Sequence, residues 1–302
     1  YVLAVSSCDL ALKLCVATLD MRDVILPTFT FNSTLMAVLW NKLNFHIVDI
    51  DPNTLLIDLN SIEDLAKLGY RDFILVNVFG NIYDIDSLNV LRNKYHLNIL
   101  FDSAHSFGST YNNKKSGNLG YTECFSFSAT KVITSGEGGI VCTDDFGVYT
   151  RLKYMRNYGF QQNYNSVYRG SNGKISEMNA MLGYYSMRIF DDVLAKKHHN
   201  VNILIEALAQ KYNLQSITQG VNSCYKDFIL LDIDYHGVSE ALDKNGIQNK
   251  RYFFPLHNQT IVDSKAKYIN SEHVYDNSIC IPAHAKLTSD ELFSICSTLN
   301  NI

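Results

Sequence analysis

The sequence predicts an α/β protein, a mostly parallel central sheet covered by helices on both faces, followed by a smaller α+β C-terminal domain. Three observations predict it. Apolar, strand-like runs alternate with segments of helical period through the first half of the 302-residue chain, those runs are apolar throughout, and the pattern changes character after residue 214. A strand buried on both faces has no polar face to present, so it reads as an unbroken run of Val, Ile, Leu and Phe.

The elements justify this in order. Residues 2–5 are a short apolar run, and Ser6, Ser7, Cys8 and Asp9 form a good N-cap set ahead of helical spacing over residues 10–19. A strand, a turn and a helix start in succession aim free N–H groups and a helix dipole at one point, which suits an anion as well as plain capping. Residues 24–27 are the next strand, and Thr28 to Ser33 turn into a helix running to about residue 43. A third strand covers residues 45–50, a helix residues 61–68, and a strongly apolar strand residues 73–79, ending at Gly80-Asn81. Residues 87–95 are helical, and residues 99–101 form a strand that stops at Asp102. Two more strands, residues 124–127 and 140–142, bracket Lys131.

Amphipathic helices follow over residues 146–157 and 176–190, joined by an irregular Asn- and Gly-rich stretch from 159 to 173; a connection of that length usually serves a function or holds a partner. Residues 191–212 extend the second helix as an interdomain link. The C-terminal part reads as a strand at 228–233, a helix at 237–245, an aromatic strand or loop at 252–255, a short strand at 278–281 and a helix at 288–299 with an acidic, capped start. The expected division is a large domain over residues 1–190 and a linker helix plus small domain over 191–302.

Composition narrows the function. The chain is 47% hydrophobic and 19% charged with a net charge of −4, and its Lys and Arg are scattered, so no basic field recruits nucleic acid or an anionic membrane. No apolar run approaches the length of a membrane span, and the first residues read as a strand rather than a signal peptide. Seven cysteines, none in a CxxC pair and several in apolar runs, read as reduced core residues of a cytoplasmic protein without a zinc site.

The stretch ECFSFSATKVITSGEGGIVCT carries the strongest chemical signal. It places one lysine, Lys131, between two core strands and beside a glycine-rich run that lets the backbone approach a bound group closely. A lysine in a partly dry pocket loses its proton more readily and becomes an amine nucleophile able to form a Schiff base; an isolated lysine in a polar loop is otherwise a surface charge. Asp102, in ILFDSAHSFGS, stands at a strand C-terminus, where open α/β sheets bind ligands and where a carboxylate also serves as a plain helix cap. His105 stands three residues on. Together they could start a metal site, but no third and fourth ligand is spaced to complete it.

At this point several stretches, in order and end to end, resemble one family: the DegT-type sugar-nucleotide aminotransferases, pyridoxal-phosphate enzymes of fold type I, the aspartate-aminotransferase fold. AVSSCDLALKL resembles the family's phosphate-corner helix start, PTFTFNST its cofactor-stacking turn, VDIDPNTLLID its DIDP signature, FDSAHSFGS its Asp-x-Ala-His/Gln element, and FSFSATKVITSGEGGIVCTDD its lysine segment. RNYGF, GSNGKISEMNAMLG and RYFFPLH continue the match. The sequence departs from the pattern in two places. Cys8 and Asp9 stand where the family has Gly and Thr, putting a carboxylate beside the expected phosphate, and the sequence begins at the family's first strand.

The resemblance implies roles. Lys131 would hold pyridoxal 5′-phosphate as an internal aldimine and then shuttle the proton between the donor's Cα and C4′ of the cofactor. Asp102 would pair with the pyridine nitrogen, His105 would lie near the ring oxygen, and Phe31 and Ala104 would cover the two ring faces. Ser126 and the backbone at Cys8 and Asp9 would take the phosphate, with Asp9 turning its carboxylate away to cap the helix. Asn172 or Lys174 would reach over from a second subunit, which implies a homodimer with shared sites. Tyr252 and Phe253 would lie near a nucleotide-linked keto sugar aminated from glutamate. RYFFPL is similar to the RYFYPL of 4-keto-6-deoxyhexose aminotransferases, which points to C-4. A sugar dehydratase of the same family carries His in place of the lysine, so Lys131 speaks against that reading. The altered phosphate corner leaves a non-catalytic, cofactor-binding relative as the other alternative.

Overall fold

The computed structural model describes residues 1–262 and 264–302. Strand β1 (Val2–Val5) runs into helix α1 (Cys8–Thr18), and β2 (Asp23–Pro27), α2 (Asn32–Trp40), β3 (Asn44–Val48), α3 (Leu59–Lys67), β4 (Asp72–Val76), α4 (Ile85–Tyr95) and β5 (Asn98–Asp102) continue the alternation. The small strands β6 (Thr110–Tyr111) and β7 (Lys114–Lys115) precede β8 (Thr122–Ser126) and β9 (Gly139–Cys142). Helices α5 (Phe146–Met155), α6 (Glu177–Arg188) and α7 (Phe190–Leu208) lead to β10 (Asn213–Leu214), β11 (Val221–Asn222), β12 (Phe228–Leu231), α8 (Tyr235–Lys244), α9 (Ile269–Asp276), β13 (Ile279–Ile281) and α10 (Ser289–Asn300).

Seven strands form the central sheet in the order β1-β9-β8-β5-β4-β2-β3. Only β9 runs against the others, pairing antiparallel with β1 and β8, so the expectation of a mostly parallel sheet is met. The apolar strands follow from burial on both faces. Ile25, Phe73, Leu75, Ile99 and Phe101 point into one core with Ile62 of α3 and Leu88 of α4. Their neighbours Val24, Leu26, Ile74 and Leu100 point into the other, against Leu12 of α1, Leu35 of α2 and Leu152 of α5. Burying each such side chain contributes about 1.5–3 kcal/mol, which is why every second position along a strand matters to one face or the other.

A second sheet, β10-β12-β13, packs Phe228 and Leu230 against Val201 and Leu204 of α7, Leu242 of α8 and Leu292 and Ile295 of α10. Its opposite face is not a free surface. Ile229, Leu231 and Cys280 join the core of the large sheet, so the C-terminal sheet rests on the body that precedes it.

Several element bounds differ from expectation for local reasons. The run at 73–79 is a strand only to Val76, because Phe79 takes a left-handed φ of 54° and Val78–Gly80 forms a 3₁₀ turn. The segment 176–212 is two helices with a break at Ile189, whose φ of −106° lies outside the helical range, not one helix extended. Residues 252–255 have no regular structure, and α9 was not expected.

Candidate active site

The C-terminal ends of β1, β2, β4, β5 and β8 open onto a cavity of about 340 Å³, the place where parallel α/β sheets leave room for ligands. Each strand end delivers side chains to it. Ser7, Cys8 and Asp9 come from the β1–α1 corner, Phe31 from the end of β2, Asp102, Ala104 and His105 from β5, and Ser126 from β8. Lys131 and Glu137 enter from the loop between β8 and β9, and Lys226, Tyr252 and Phe253 from the C-terminal part. Ten of the residues proposed from sequence therefore meet in one space, although 245 positions separate Cys8 from Phe253.

Asp102 forms the floor. It is 3% exposed; its Oδ2 accepts from Thr34 Oγ1 at 2.7 Å and its Oδ1 from the Ala104 N–H at 3.1 Å. Thr34 is itself tied to Thr30 Oγ1 at 2.8 Å, so α2 fixes the carboxylate's orientation. Burial pushes the Asp102 carboxyl pKa up, against these hydrogen bonds and the charge of Lys131. The plain helix-cap role does not describe it: no helix lies between β5 and β6, so the Ala104 N–H bond is that of a turn, and the other oxygen bonds α2.

Lys131 is half-buried, and its loop is pinned where Ser135 N–H and Thr134 Oγ1 both donate to Phe127 O, at 2.8 and 3.1 Å. Burial lowers its pKa, and the charge of Lys226 lowers it further. Among the described residues Lys131 and Asp102 make no ion pair, although both face the cavity. A half-buried cation and a buried anion held apart across a space are costly unless something bridges them.

His105 is buried and packs beside the rings of Phe79 and Phe253, with centroids 5.7 and 5.8 Å away. Its Nδ1 accepts from the Phe79 N–H at 3.4 Å, which leaves the proton on Nε2. Burial first, then the charges of Lys131 and Lys226, hold its pKa well below the ordinary imidazole value, so it is a neutral donor. Phe253 is 6% exposed and packs on Phe29 and Phe79 as a core ring with one edge on the cavity. Tyr252 has two lysines near its ring, Lys226 Nζ at 5.8 Å and Lys250 Nζ at 6.0 Å from the centroid.

The anion corner corrects one expectation. The N-cap of α1 is Ser7, whose Oγ accepts from Leu10 N–H at 3.2 Å; Asp9 does not cap the helix but accepts from Lys13 Nζ at 2.7 Å. The corner is tight because Gly139 of β9 lies against it. A Cβ there would sit 2.7 Å from Cys8 N, so only glycine lets the helix start dock on the sheet. Ser126 and Ser128 face the corner with their hydroxyls 3.3 Å apart.

Two proposed residues are not in the cavity. Asn172 and Lys174 lie on the exposed stretch ahead of α6, where Lys174 Nζ donates to Asn157 Oδ1 at 2.8 Å. Two others were missed. Thr34 reads as a polar residue of an amphipathic helix, and Lys226, 8% exposed and paired with Asp227 at 2.7 Å, reads in sequence as an ordinary surface charge.

The residues suit pyridoxal phosphate on chemical grounds. That molecule carries a basic ring nitrogen, an aldehyde carbon and a phosphate; the cavity offers a carboxylate, an amine and a helix N-terminus. Among the described residues no three His, Cys, Asp or Glu side chains come together to hold a metal ion, and no helix is long and apolar enough to cross a membrane.

Comparison with known proteins agrees with the geometry. The model of the DegT/DnrJ/EryC1/StrS aminotransferase family matches residues 1–300. The chain is 28% identical to the dTDP-4-amino-4,6-dideoxy-D-glucose transaminase of Shigella dysenteriae, over 100% of this chain and 86% of that one. It is 26% identical to the UDP-2-acetamido-2-deoxy-3-oxo-D-glucuronate aminotransferase of Pseudomonas aeruginosa, over 92% and 79% of the two chains. Among solved structures, DesV of S. venezuelae in complex with a ketimine intermediate superposes with a TM-score of 0.94 at 21% identity, covering 99% of this chain and 84% of that one.

Proposed function

The chain belongs to the DegT/DnrJ/EryC1/StrS aminotransferase family, and from that premise we propose that it moves an amino group from glutamate to a nucleotide-linked keto-deoxysugar in the cytoplasm. The sugar is a 4-keto-6-deoxyhexose, destined for surface polysaccharide or secondary-metabolite sugars such as those of a lipopolysaccharide O-antigen. One observation carries the reading: a half-buried lysine, Lys131, and a buried carboxylate, Asp102, face one cavity without pairing with each other. The RYFFPL segment at the cavity mouth supports C-4, and the relatives named above support a nucleotide sugar.

Pyridoxal phosphate, when bound, supplies a sink for the electron pair left at the donor's Cα as its proton departs. The chain's residues do the rest. Lys131, its pKa lowered by burial and by Lys226, is the amine that would hold the aldehyde carbon and would carry the proton of the donor's Cα. Asp102, aimed by Thr34 and Ala104 N–H, holds the proton at the ring nitrogen. Neutral His105, with its proton on Nε2, would donate to the ring oxygen, and Phe31 and Ala104 would cover the two ring faces. Ser126 and the N–H groups of Cys8 and Asp9 take the phosphate. Asn172 and Lys174 complete that site in a second copy of the chain, and the large unit over 1–190 and the small unit over 191–302 both contribute to the cavity, the second through Lys226, Tyr252 and Phe253.

Lys131→Ala tests the reading. The wild-type protein, incubated with pyridoxal phosphate and reduced with borohydride, is expected to carry the cofactor on the peptide containing Lys131, and to consume glutamate when given keto sugar nucleotides. The variant should do neither while keeping its fold by circular dichroism. Label on another peptide, or turnover by Lys131→Ala, sinks the assignment.

A further inference from the structure

We propose that Lys13 belongs to the phosphate corner, as the counter-cation that neutralises Asp9 and so lets a corner containing a carboxylate accept a phosphate dianion. The inference rests on the pyridoxal-phosphate reading above and adds to it a residue one helical turn from the cavity.

The problem that Lys13 solves is visible in α1. Of the first N–H groups, Leu10's is taken by Ser7 Oγ and Ala11's by Ser7 O, which leaves those of Cys8 and Asp9 for an outside acceptor. These are the groups an anion would use. Yet Asp9 is itself one of the residues lining the cavity, and a carboxylate within a few ångströms of a phosphate repels it wherever water is scarce. The resemblance described above puts Thr, an uncharged donor, at this position.

Lys13 stands four residues on, on the same helical face, with Nζ 2.7 Å from Asp9 Oδ2. The cation is held from a second side. Its Nζ lies 4.9 Å from the centroid of the Trp40 ring on α2, and α2 is tied to the Lys13 backbone by Asn41 Nδ2 donating to Lys13 O at 2.9 Å. The lysine side chain is 21% exposed and the aspartate 39%, so the pair is partly withdrawn from water and screening is incomplete. An ordinary helical pair of this spacing would touch stability slightly and ligand affinity not at all. The neutralising role moves affinity, and only for ligands that bear the phosphate.

Four proteins decide it: wild type, Lys13→Met, Asp9→Asn and the double variant, each freed of cofactor and titrated with pyridoxal phosphate and with pyridoxal. Lys13→Met should weaken pyridoxal phosphate by about tenfold or more and leave pyridoxal unchanged, because only the former meets the exposed Asp9 charge. The double variant should return to within about threefold of wild type, the signature of two residues acting through each other. Unchanged affinity in Lys13→Met, equal loss for both ligands, or a double variant as weak as Lys13→Met overturns the proposal. A wild-type protein that binds pyridoxal but not pyridoxal phosphate overturns it too, while leaving the Lys131 amine assignment standing. Failure to bind either ligand overturns both.

Discussion

At the scale of single residues, the site is an arrangement of charges that the fold keeps from cancelling. The Lys131 pKa is depressed by burial and by a second cation, Lys226, whose side chain is only 4% exposed with Asp227 as its partner. Lys226 is fixed in place by its backbone, since its N–H donates to Phe79 O at 2.9 Å, beside the His105 pillar. Lys226→Gln should therefore raise the Lys131 pKa. The sign follows from the repulsion: removing a neighbouring positive charge makes the protonated amine cheaper, and the Asp227 carboxylate left behind acts in the same direction. The rate of covalent capture of pyridoxal phosphate rises with the neutral amine fraction, so the acid limb of its pH profile should move to higher pH in the variant. A limb that stays put, or moves to lower pH, would show that Lys226 is only a structural partner of Asp227.

At the scale of elements, the strand ends are kept in register by a buried carboxylate with no catalytic task. Glu123, the second residue of β8, is fully buried and its pKa is pushed up by burial. It accepts from Ser103 Oγ at 3.0 Å, Ser116 Oγ at 2.9 Å and Gly117 N–H at 2.7 Å, clamping the residue after Asp102 to the β7–β8 turn. Glu123→Ala takes the carboxylate from one buried donor, Ser103, and two half-buried ones, Ser116 and Gly117, and should cost about 2–3 kcal/mol. A urea midpoint within error of wild type, with an unchanged slope, would refute this. Such a clamp is hard to see in a sequence, where one Glu before an apolar run looks like a strand's solvent-facing start. The same limit explains the other omissions. The parallel strands and α1 to α5 were legible because burial on both faces writes itself as composition and period. Helix α9 was not, since it buries only Ser271 and Val274, and the two-residue strands β6, β7, β10 and β11 are too short to carry a period. Lys131 and Asp102 were legible by residue type and context. Thr34 and Lys226 depend on which elements fold onto the cavity, and no local pattern records that.

At the scale of the whole molecule, α6 has no buried residue in this chain, although it is rich in large apolar side chains. Met178, Met181, Leu182, Tyr184, Tyr185 and Met187 are between 47% and 80% exposed on it. A helix that hides nothing internally, yet contacts the active-site loop through Asn179 Nδ2 donating to Glu137 O at 2.6 Å, suits a face covered by a second copy. The stretch bearing Asn172 and Lys174 leads directly into it. If each copy lends these residues to its neighbour's phosphate corner, two inactive variants should repair one another. Lys131→Ala and Lys174→Ala, unfolded together and refolded as a mixture, form mixed dimers in half of the population, each with one site complete; about a quarter of wild-type activity should return for a two-fold dimer. Leu182→Arg with Tyr185→Glu should instead give a monomer by sedimentation, because two charges would then have to be buried at the contact. A wild-type chain that sediments as a monomer would refute the shared site outright. Dimers whose mixed population recovers no activity would keep the contact and remove Lys174 from the neighbour's cavity.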